Sequence, residues 1–203
     1  MNSEPLHGTQ ADLPVAATAA WLRGIGIVIA GSLFVAACAH VALPLYFTPI
    51  PLTLQPFAVL LVGLLLAPRL AAATLGTYLL EGAAGLPVFT PGPSSGAGLA
   101  HLFGPTGGYL LAYPVAAFLI SFLWRRTGRT FTSGLIAAAI GNVVILTVGA
   151  LWLAVLTHAR MAAIATQAIV PFLPGDALKV ATAAALATGW QRLRLRNSTS
   201  STK

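Results

Sequence analysis

An acidic and a basic residue stand three positions apart in one of the most apolar parts of this chain. In the stretch "VPFLPGDALKVATAAALA", Asp176 is one of only four acidic residues, and Lys179 is the only lysine before the C-terminal tail. A spacing of three places both side chains on one face of a helix. A carboxylate accepts N–H donors and an ammonium donates to a carbonyl or carboxylate, so the pair can hold a polar ligand.

The residues around this pair predict where it lies along its helix. The segment "PFLPG" breaks the helix just before Asp176, which places that carboxylate in a first turn, where exposed N–H groups stabilise negative charge. Inside a membrane each charge would cost about 2.5–3.5 kcal/mol, so two charges need a reason. They either neutralise each other as a structural pair or face a cavity and bind a ligand.

The composition predicts that the helix carrying this pair is indeed in a membrane. Of 203 residues, 57% are hydrophobic and only 7% are charged, whereas a soluble domain carries about 25% charged residues. The net charge of +7 comes from short basic clusters between apolar runs. That distribution is typical of membrane topology and argues against nucleic-acid binding.

The fold class follows as an all-α integral membrane protein, a bundle of six transmembrane helices. Helices satisfy their backbone in lipid, and the apolar runs lack the alternation of barrel strands. The predicted spans are 25–43, 52–67, 70–87, 106–124, 132–157 and 166–190. The predicted division is a cytoplasmic tail at 1–24, a membrane domain at 25–190 and a basic cytoplasmic tail at 191–203.

The basic residues also predict the orientation of the bundle. With both termini in the cytoplasm, Arg160 is the only arginine that falls on the outer side. The basic residues that then lie on the cytoplasmic side are Arg23, Arg69, Arg125, Arg126, Arg129, Arg192, Arg194, Arg196 and Lys203. The protein is thus expected to be a multi-pass protein of the bacterial plasma membrane.

Polar side chains gather in the outer half of this predicted bundle, which indicates a small-molecule site there. The candidate substrate-binding residues are Asp176, Lys179, Gln55, Tyr109, Asn142 and Glu81. Alternatives remain for several of them. Gln55 and Asn142 could bond helix to helix, Tyr109 could belong to an aromatic belt, and Glu81 could be an interfacial carboxylate.

The sequence offers no catalytic chemistry. No nucleophile–base cluster and no H-E-x-x-H metal motif is present, and "GPTGGY" lacks the lysine of a phosphate-binding loop. We therefore predict no catalytic residue, metal or cofactor. If the protein moves a solute uphill, the energy must come from a partner or from an ion gradient.

Three separated motifs resemble one family. They are "TPIPLTLQPFAVLLVGLLLAPRLAAATLGTYLLEGAAGLPVF", "GPTGGYLLAYPVAAFL" and "PFLPGDALK", which together cover most of residues 45–180. They resemble the BioY family, the substrate-binding subunits of biotin transporters of the energy-coupling-factor type. The resemblance implies six helices, an extracytoplasmic biotin site that includes Asp176 and Lys179, and no enzymatic activity. It also implies a transmembrane coupling (T) subunit and ATP-binding-cassette ATPases as partners.

Two small residues on the first predicted span, Gly26 and Ala30, stand at helical spacing. Such a face lets helices approach closely, so it either docks the coupling subunit or packs within the bundle.

Two other functions are alternatives to biotin uptake with ATPase partners. One is a stand-alone, ion-coupled permease, with Glu81 and Asp176 as proton carriers; the other is an intramembrane enzyme acting on lipids.

Overall fold

The computed structural model describes residues 13–91 and 98–200, and most of them are helical. The long helices are α1 (Leu13–His40), α5 (Gly107–Arg126), α6 (Phe131–Thr157) and α8 (Leu173–Ser200). The shorter helices are α2 (Gln55–Leu65), α3 (Pro68–Ala83), α4 (Leu99–Leu102) and α7 (Met161–Ala168), and a 3-10 turn at Val170–Phe172 joins α7 to α8. Between α1 and α2, strands β1 (Ala42–Leu43) and β2 (Leu52–Thr53) form an antiparallel ribbon.

Four helical stretches within the described residues are long and apolar enough to cross a membrane. They are Ala17–His40, Gly107–Arg126, Phe131–Thr157 and Met161–Asn197. Helices α2 and α3, with 11 and 16 residues, lie where the sequence predicts spans two and three. At about 1.5 Å per residue they are shorter than a hydrocarbon core of about 30 Å. The prediction of an all-α membrane protein is confirmed, and the count of six spans stays a prediction.

The end helices are longer than the hydropathy pattern predicts. Helix α1 already begins at Leu13, inside the segment expected to be a tail, and α8 continues to Ser200 rather than ending near 190. The reason is local propensity. Pro14 falls in the first turn of α1, where proline is tolerated, and an alanine-rich run follows it. The last part of α8 is basic, but Arg, Leu and Gln are good helix formers.

The break between α2 and α3 is caused by Pro68, the first residue of α3. Leu66 and Ala67 before it are extended, with ψ values of 162° and 151°, because the proline ring disfavours helical backbone in the preceding residue. The Ser121 hydroxyl on α5 donates to the Leu66 carbonyl at 2.6 Å. The carbonyl that the break leaves without a helical partner is thereby satisfied, as membrane burial requires.

Helix α5 is central, packing against α2, α3 and α6, while α8 packs against α2 and α6. Two glycines of α6 permit close contact with α5, because a Cβ at Gly141 would overlap Ile120 and one at Gly149 would overlap the Tyr109 ring. The largest buried side chains include Tyr78, Leu75 and Ile145. Helices α2, α5, α6 and α8 thus surround the space described next.

Candidate functional site

A cavity of about 550 Å³, its open mouth included, lies between the first turns of α2, α5 and α8 and the middle of α6. The segment before α2 also contributes to its wall. Nine of its seventeen lining residues are apolar or tyrosine, and the other eight carry polar or charged side chains. This combination of size and lining is typical of a small-molecule site. Five of the six predicted substrate-binding residues line the cavity, namely Gln55, Tyr109, Asn142, Asp176 and Lys179.

The ion pair predicted on α8 is formed. Lys179 Nζ lies 3.0 Å from Asp176 Oδ1, and the two side chains are only 10% and 5% exposed. Asp176 lies in the first turn of α8, as the sequence predicts. The two residues therefore neutralise each other and also line the cavity, and ligand binding by the pair stays a prediction.

Asn142 on α6 completes this cluster. Its Nδ2 donates to Asp176 Oδ2 at 3.1 Å, so each oxygen of the carboxylate accepts one hydrogen bond. An ionised carboxylate has no proton to donate, so it is the amide nitrogen of Asn142 that faces Asp176 and the amide oxygen that faces elsewhere. Asn142 Oδ1 is buried and has no hydrogen-bond partner within the described chain. Buried polar atoms are nearly always paired, so an unpaired acceptor in a cavity wall marks a place for a ligand N–H.

Gln55 at the start of α2 joins a second network. Its Nε2 donates to the Tyr78 hydroxyl at 2.8 Å, and its Oε1 accepts from the Thr90 hydroxyl at 3.3 Å. The Tyr78 hydroxyl in turn donates to the Val88 carbonyl at 3.0 Å. This network ties α2 and α3 to the segment that follows α3. Gln55 therefore forms the helix-to-helix hydrogen bond that the sequence analysis gives as the alternative to ligand binding, and it also lines the cavity.

Tyr109 on α5 is buried, and its hydroxyl donates to the Ala168 carbonyl at the end of α7 at 3.1 Å. Its ring fits against α6 only because residue 149 is a glycine. Tyr109 is therefore held from both ends, by a hydrogen bond at the hydroxyl and by packing at the ring. It presents one aromatic wall of the cavity in a fixed position.

His101 and Thr106 lie at the rim of the cavity, near the start of α5. His101 Nε2 is 3.3 Å from the Thr106 hydroxyl, and the imidazole lies against the Phe89 ring with centroids 4.8 Å apart. The residue lies in the short helix α4 and is buried. These groups supply further hydrogen-bonding atoms to the cavity wall.

Glu81 does not line this cavity. Its Oε1 accepts from the Ser32 hydroxyl on α1 at 2.9 Å, and its Oε2 is buried without a partner in the described chain. Glu81 thus lies at the contact between α1 and α3.

The two small residues predicted as a partner interface on α1, Gly26 and Ala30, are exposed. No atom of the described residues lies within 4 Å of a Cβ built at Gly26.

Several lining residues were not singled out in the sequence, namely Thr90, Thr106, Tyr113, Ile145, Leu146 and Phe172. Tyr113 stands four positions after Tyr109, and that spacing on one helix face is the signal that points to it. Phe172 lies in the 3-10 turn before α8, inside the quoted motif "PFLPGDALK". Across residues 13–91 and 98–200, no three His, Cys, Asp or Glu side chains come together as metal ligands.

Comparison with known proteins decides the family. The model of the BioY family matches residues 9–196, which is nearly the whole chain. The chain belongs to the BioY family.

Relatives of this BioY family member come from several organisms. A probable biotin transporter BioY of Pyrococcus horikoshii is 41% identical over 68% of this chain and 79% of its own length. The biotin transporter BioY2 of Lactococcus lactis is 34% identical, with 78% and 84% covered. The biotin transporter BioY of Thermotoga maritima is 34% identical, with 77% and 89% covered.

A solved structure has the same fold as this BioY chain. It is the S-component for biotin from an ECF-type ABC transporter, with a TM-score of 0.77 and 25% identity over 84% of this chain and 92% of that one. The similarity and the apolar helices identify this BioY protein as a multi-pass protein of the plasma membrane.

Proposed function

We propose that this protein binds biotin and serves as the substrate-binding subunit of an ATP-driven energy-coupling-factor transporter. The observation that carries the proposal is the cluster of Asp176, Lys179 and Asn142 in a cavity of a BioY family member. Relatives named as biotin transporters support the ligand, and the similarity to the S-component for biotin of an ECF-type ABC transporter supports ATP-driven uptake over an ion-coupled permease. The protein is a transporter subunit and not an enzyme.

The chemistry of the cluster matches the ureido ring of biotin, which has two N–H donors and one carbonyl acceptor. Asn142 Oδ1 is an acceptor without a partner and can receive one ureido N–H. Asp176 can receive the other, since each carboxylate oxygen has more than one lone pair. The Lys179 ammonium has three N–H groups, so it can donate to the ureido carbonyl while it still contacts Asp176.

The remaining lining residues suit the rest of the molecule. The thioether ring and the valerate chain are mostly apolar and would contact Leu110, Ile145 and Phe172. The valerate carboxylate needs hydrogen-bond donors. His101 and Thr106 line the same cavity and are candidates for that role, whereas the single O–H of Tyr109 is already donated to the Ala168 carbonyl. Gln55 uses one N–H on Tyr78 and one oxygen lone pair on Thr90, so its second N–H is a further candidate donor to the ligand.

The proposal includes a topology of six spans with both termini in the cytoplasm. In this arrangement α2 and α3 are two short spans, α7 and α8 belong to the last one, and the cavity opens to the extracytoplasmic side. The distribution of arginine supports it, because Arg125, Arg126 and Arg129 lie at the opposite end of α5 from Tyr109. A cysteine placed after Ser200 should be labelled by membrane-impermeant reagents only after the cells are opened.

The partners in this proposal are a transmembrane coupling subunit and ABC-type ATPases. Exposed Gly26 and Ala30 on α1 support a contact with the coupling subunit, because small residues let another helix approach closely. Replacement of Gly26 by Leu should abolish co-purification with a coupling subunit and leave biotin binding intact. Replacement of Gly189, exposed near the end of α8, by Leu is the matched control.

The proposal is tested by identifying the ligand. The full-length protein is purified from cells grown with biotin, and the small molecules that it retains are released and measured by mass spectrometry. Biotin in near-stoichiometric amount is the expected result. Retention of another compound, or titration calorimetry without heat on addition of biotin to ligand-free protein, would refute the proposal.

A further inference from the structure

A second, basic pocket lies at the end of the bundle opposite the biotin cavity. It encloses about 510 Å³, its open mouth included, between the last turns of α2 and α5 and the part of α8 from Ala187 to Arg194. Its polar and aromatic lining consists of Trp124, Arg125, Arg129, Trp190, Gln191 and Arg194. Trp124 is 15 residues along α5 from Tyr109, a helical rise of about 22 Å, so the two sites are separate.

The three arginines of this pocket have no acidic partner in the part of the chain that the structure describes. The acidic residues there are Glu81, which contacts Ser32, and Asp176, which contacts Lys179 and Asn142. Neither lines the basic pocket. Like charges gathered in one pocket repel each other, so a bound anion would stabilise the arrangement.

The pocket is held in shape by specific contacts. Arg125 Nε donates to the Ser121 hydroxyl at 3.2 Å, and that hydroxyl donates to the Leu66 carbonyl at the α2–α3 break. Trp124 Nε1 donates to the Thr130 carbonyl at 3.1 Å and so ties the end of α5 to the following turn. Arg194 lies over the Trp190 ring, 5.6 Å from its centroid. The three guanidinium groups thus come from α5, from the turn after it and from α8, and the contacts just described hold these elements in place.

We propose that this pocket binds the phosphodiester headgroup of an anionic phospholipid. The planar guanidinium group donates paired hydrogen bonds to phosphate oxygens. Tryptophan is enriched where a membrane protein meets the headgroup layer, and Trp124 and Trp190 both line this site. Leu64 and Leu65 complete the lining with apolar surface that an acyl chain can contact. Basic pockets between transmembrane helices are a recurring means of binding such headgroups.

An acidic segment of a partner protein is the competing occupant, and the lining favours the lipid. The site combines arginine with indole and leucine side chains, which matches the change from phosphate to hydrocarbon along one lipid molecule. Arg126, the neighbour of Arg125, provides an internal comparison. Its guanidinium lies over the Phe122 ring, 4.8 Å from the centroid, and it does not line the pocket.

The test is native mass spectrometry of the full-length protein released from nanodiscs that contain equal parts of phosphatidylcholine and phosphatidylglycerol. We expect the protein to retain phosphatidylglycerol in preference to phosphatidylcholine. Arg125→Gln, Arg129→Gln and Arg194→Gln should each lower that retention about fivefold, since each variant loses hydrogen bonds to the phosphate worth about 1 kcal/mol. Arg126→Gln, at the same helix end, should retain the lipid as the unchanged protein does.

Melting temperature and elution profile in detergent establish that each variant is folded. Equal retention of the two lipids, or equal loss with Arg126→Gln and Arg125→Gln, would overturn the proposal. Displacement of phosphatidylglycerol by an equal concentration of inorganic phosphate would show a site for a soluble anion and would also overturn it. So would variants that retain the lipid but no longer bind an ATPase-coupled partner, because the pocket would then be a protein contact.

Discussion

The amide of Asn142 on α6 faces the carboxylate of Asp176 on α8, with 3.1 Å between Nδ2 and Oδ2, and its own oxygen has no partner in the described chain. One residue thus orients the acid of the cluster and offers an acceptor to the cavity. Replacing Asn142 by Leu removes both functions at similar size. Since a buried hydrogen-bonding group left without its partner costs about 1–3 kcal/mol, we expect biotin affinity to fall about tenfold to a hundredfold.

Titration calorimetry on ligand-free protein measures this change. Thr182→Val, at an exposed position of the same α8 helix, is the control and should bind biotin as the unchanged protein does. Wild-type affinity in Asn142→Leu would show that the unpaired oxygen does not meet the ligand.

The α8 ion pair yields a prediction that separates its structural role from its binding role. Lys179→Ala leaves the Asp176 carboxylate buried without its cation, which should destabilise the fold by about 3–5 kcal/mol. Replacing both members, as Asp176→Asn with Lys179→Met, should restore much of that stability because no unpaired charge remains.

Biotin binding should stay lost in the double variant, since its carboxylate and ammonium are both absent. Thermal unfolding in detergent and calorimetry measure the two properties side by side. A double variant that regains both stability and wild-type affinity would limit the pair to a structural role.

Gly149 on α6 makes room for the Tyr109 ring, so Gly149→Ala should disturb the cavity wall. A Cβ there overlaps the ring, and such overpacking costs about 1–3 kcal/mol. We expect a lower melting temperature and weaker biotin binding. At Gly189 on α8 a Cβ meets nothing within 4 Å, so the matched Gly189→Ala should be neutral or stabilising by about 0.5–1 kcal/mol. Equal behaviour of the two variants would contradict the proposed contact.

The Tyr78 hydroxyl links Gln55 to the Val88 carbonyl, so Tyr78→Phe should weaken the fold around α2. The change leaves the buried Gln55 amide and the Val88 carbonyl without this partner, at a cost of about 1–3 kcal/mol. Tyr46→Phe is the control, because Tyr46 is fully exposed. Melting curves in the same detergent compare them, and an unchanged melting temperature for Tyr78→Phe would exclude a stabilising role for this network.

Glu81 lies outside the cavity, and its replacement should separate it from the binding residues. Glu81→Gln keeps an oxygen that can accept from Ser32, so we expect biotin affinity within about twofold of the unchanged protein. Asp176→Asn, the same chemical change at the cavity, should weaken binding at least tenfold by loss of a charged hydrogen bond. Direct binding by calorimetry distinguishes the two, and similar losses would return Glu81 to the site.

The sequence predicted much of the cavity because charged and amide side chains are rare in this chain. Asp176, Lys179 and Asn142 stand out against apolar neighbours, and hydropathy placed them at similar depth. The depth of a residue in the membrane does not determine which neighbouring helix its side chain faces. Tyr78 and Glu81 are close together on α3, yet one bonds to Gln55 on α2 and the other to Ser32 on α1. Only the packing of the helices separates their environments.

Other features depend on contacts that no single segment of sequence reveals. The unpaired Asn142 oxygen follows from the position of Asp176 on another helix, and the setting of Tyr109 follows from Gly149 on α6. The helix ends were harder to predict than the helices, because α1 begins in an alanine-rich run and α8 continues through a basic segment of good helix propensity. The pairing of β1 with β2 involves two residues a strand, too few to leave a pattern.

Lys179 and Asp176 supply each other's counter-charge within the protein, and both side chains are largely buried. Most of the dehydration of these two charges therefore occurs as the protein folds, and little of it opposes the capture of solute. Under the proposed function, the cyclic urea of biotin is electrically neutral and would meet a preorganised dipole rather than an isolated ion. Such an arrangement favours tight retention of a scarce nutrient, because little reorganisation energy is left to be spent at the moment of uptake.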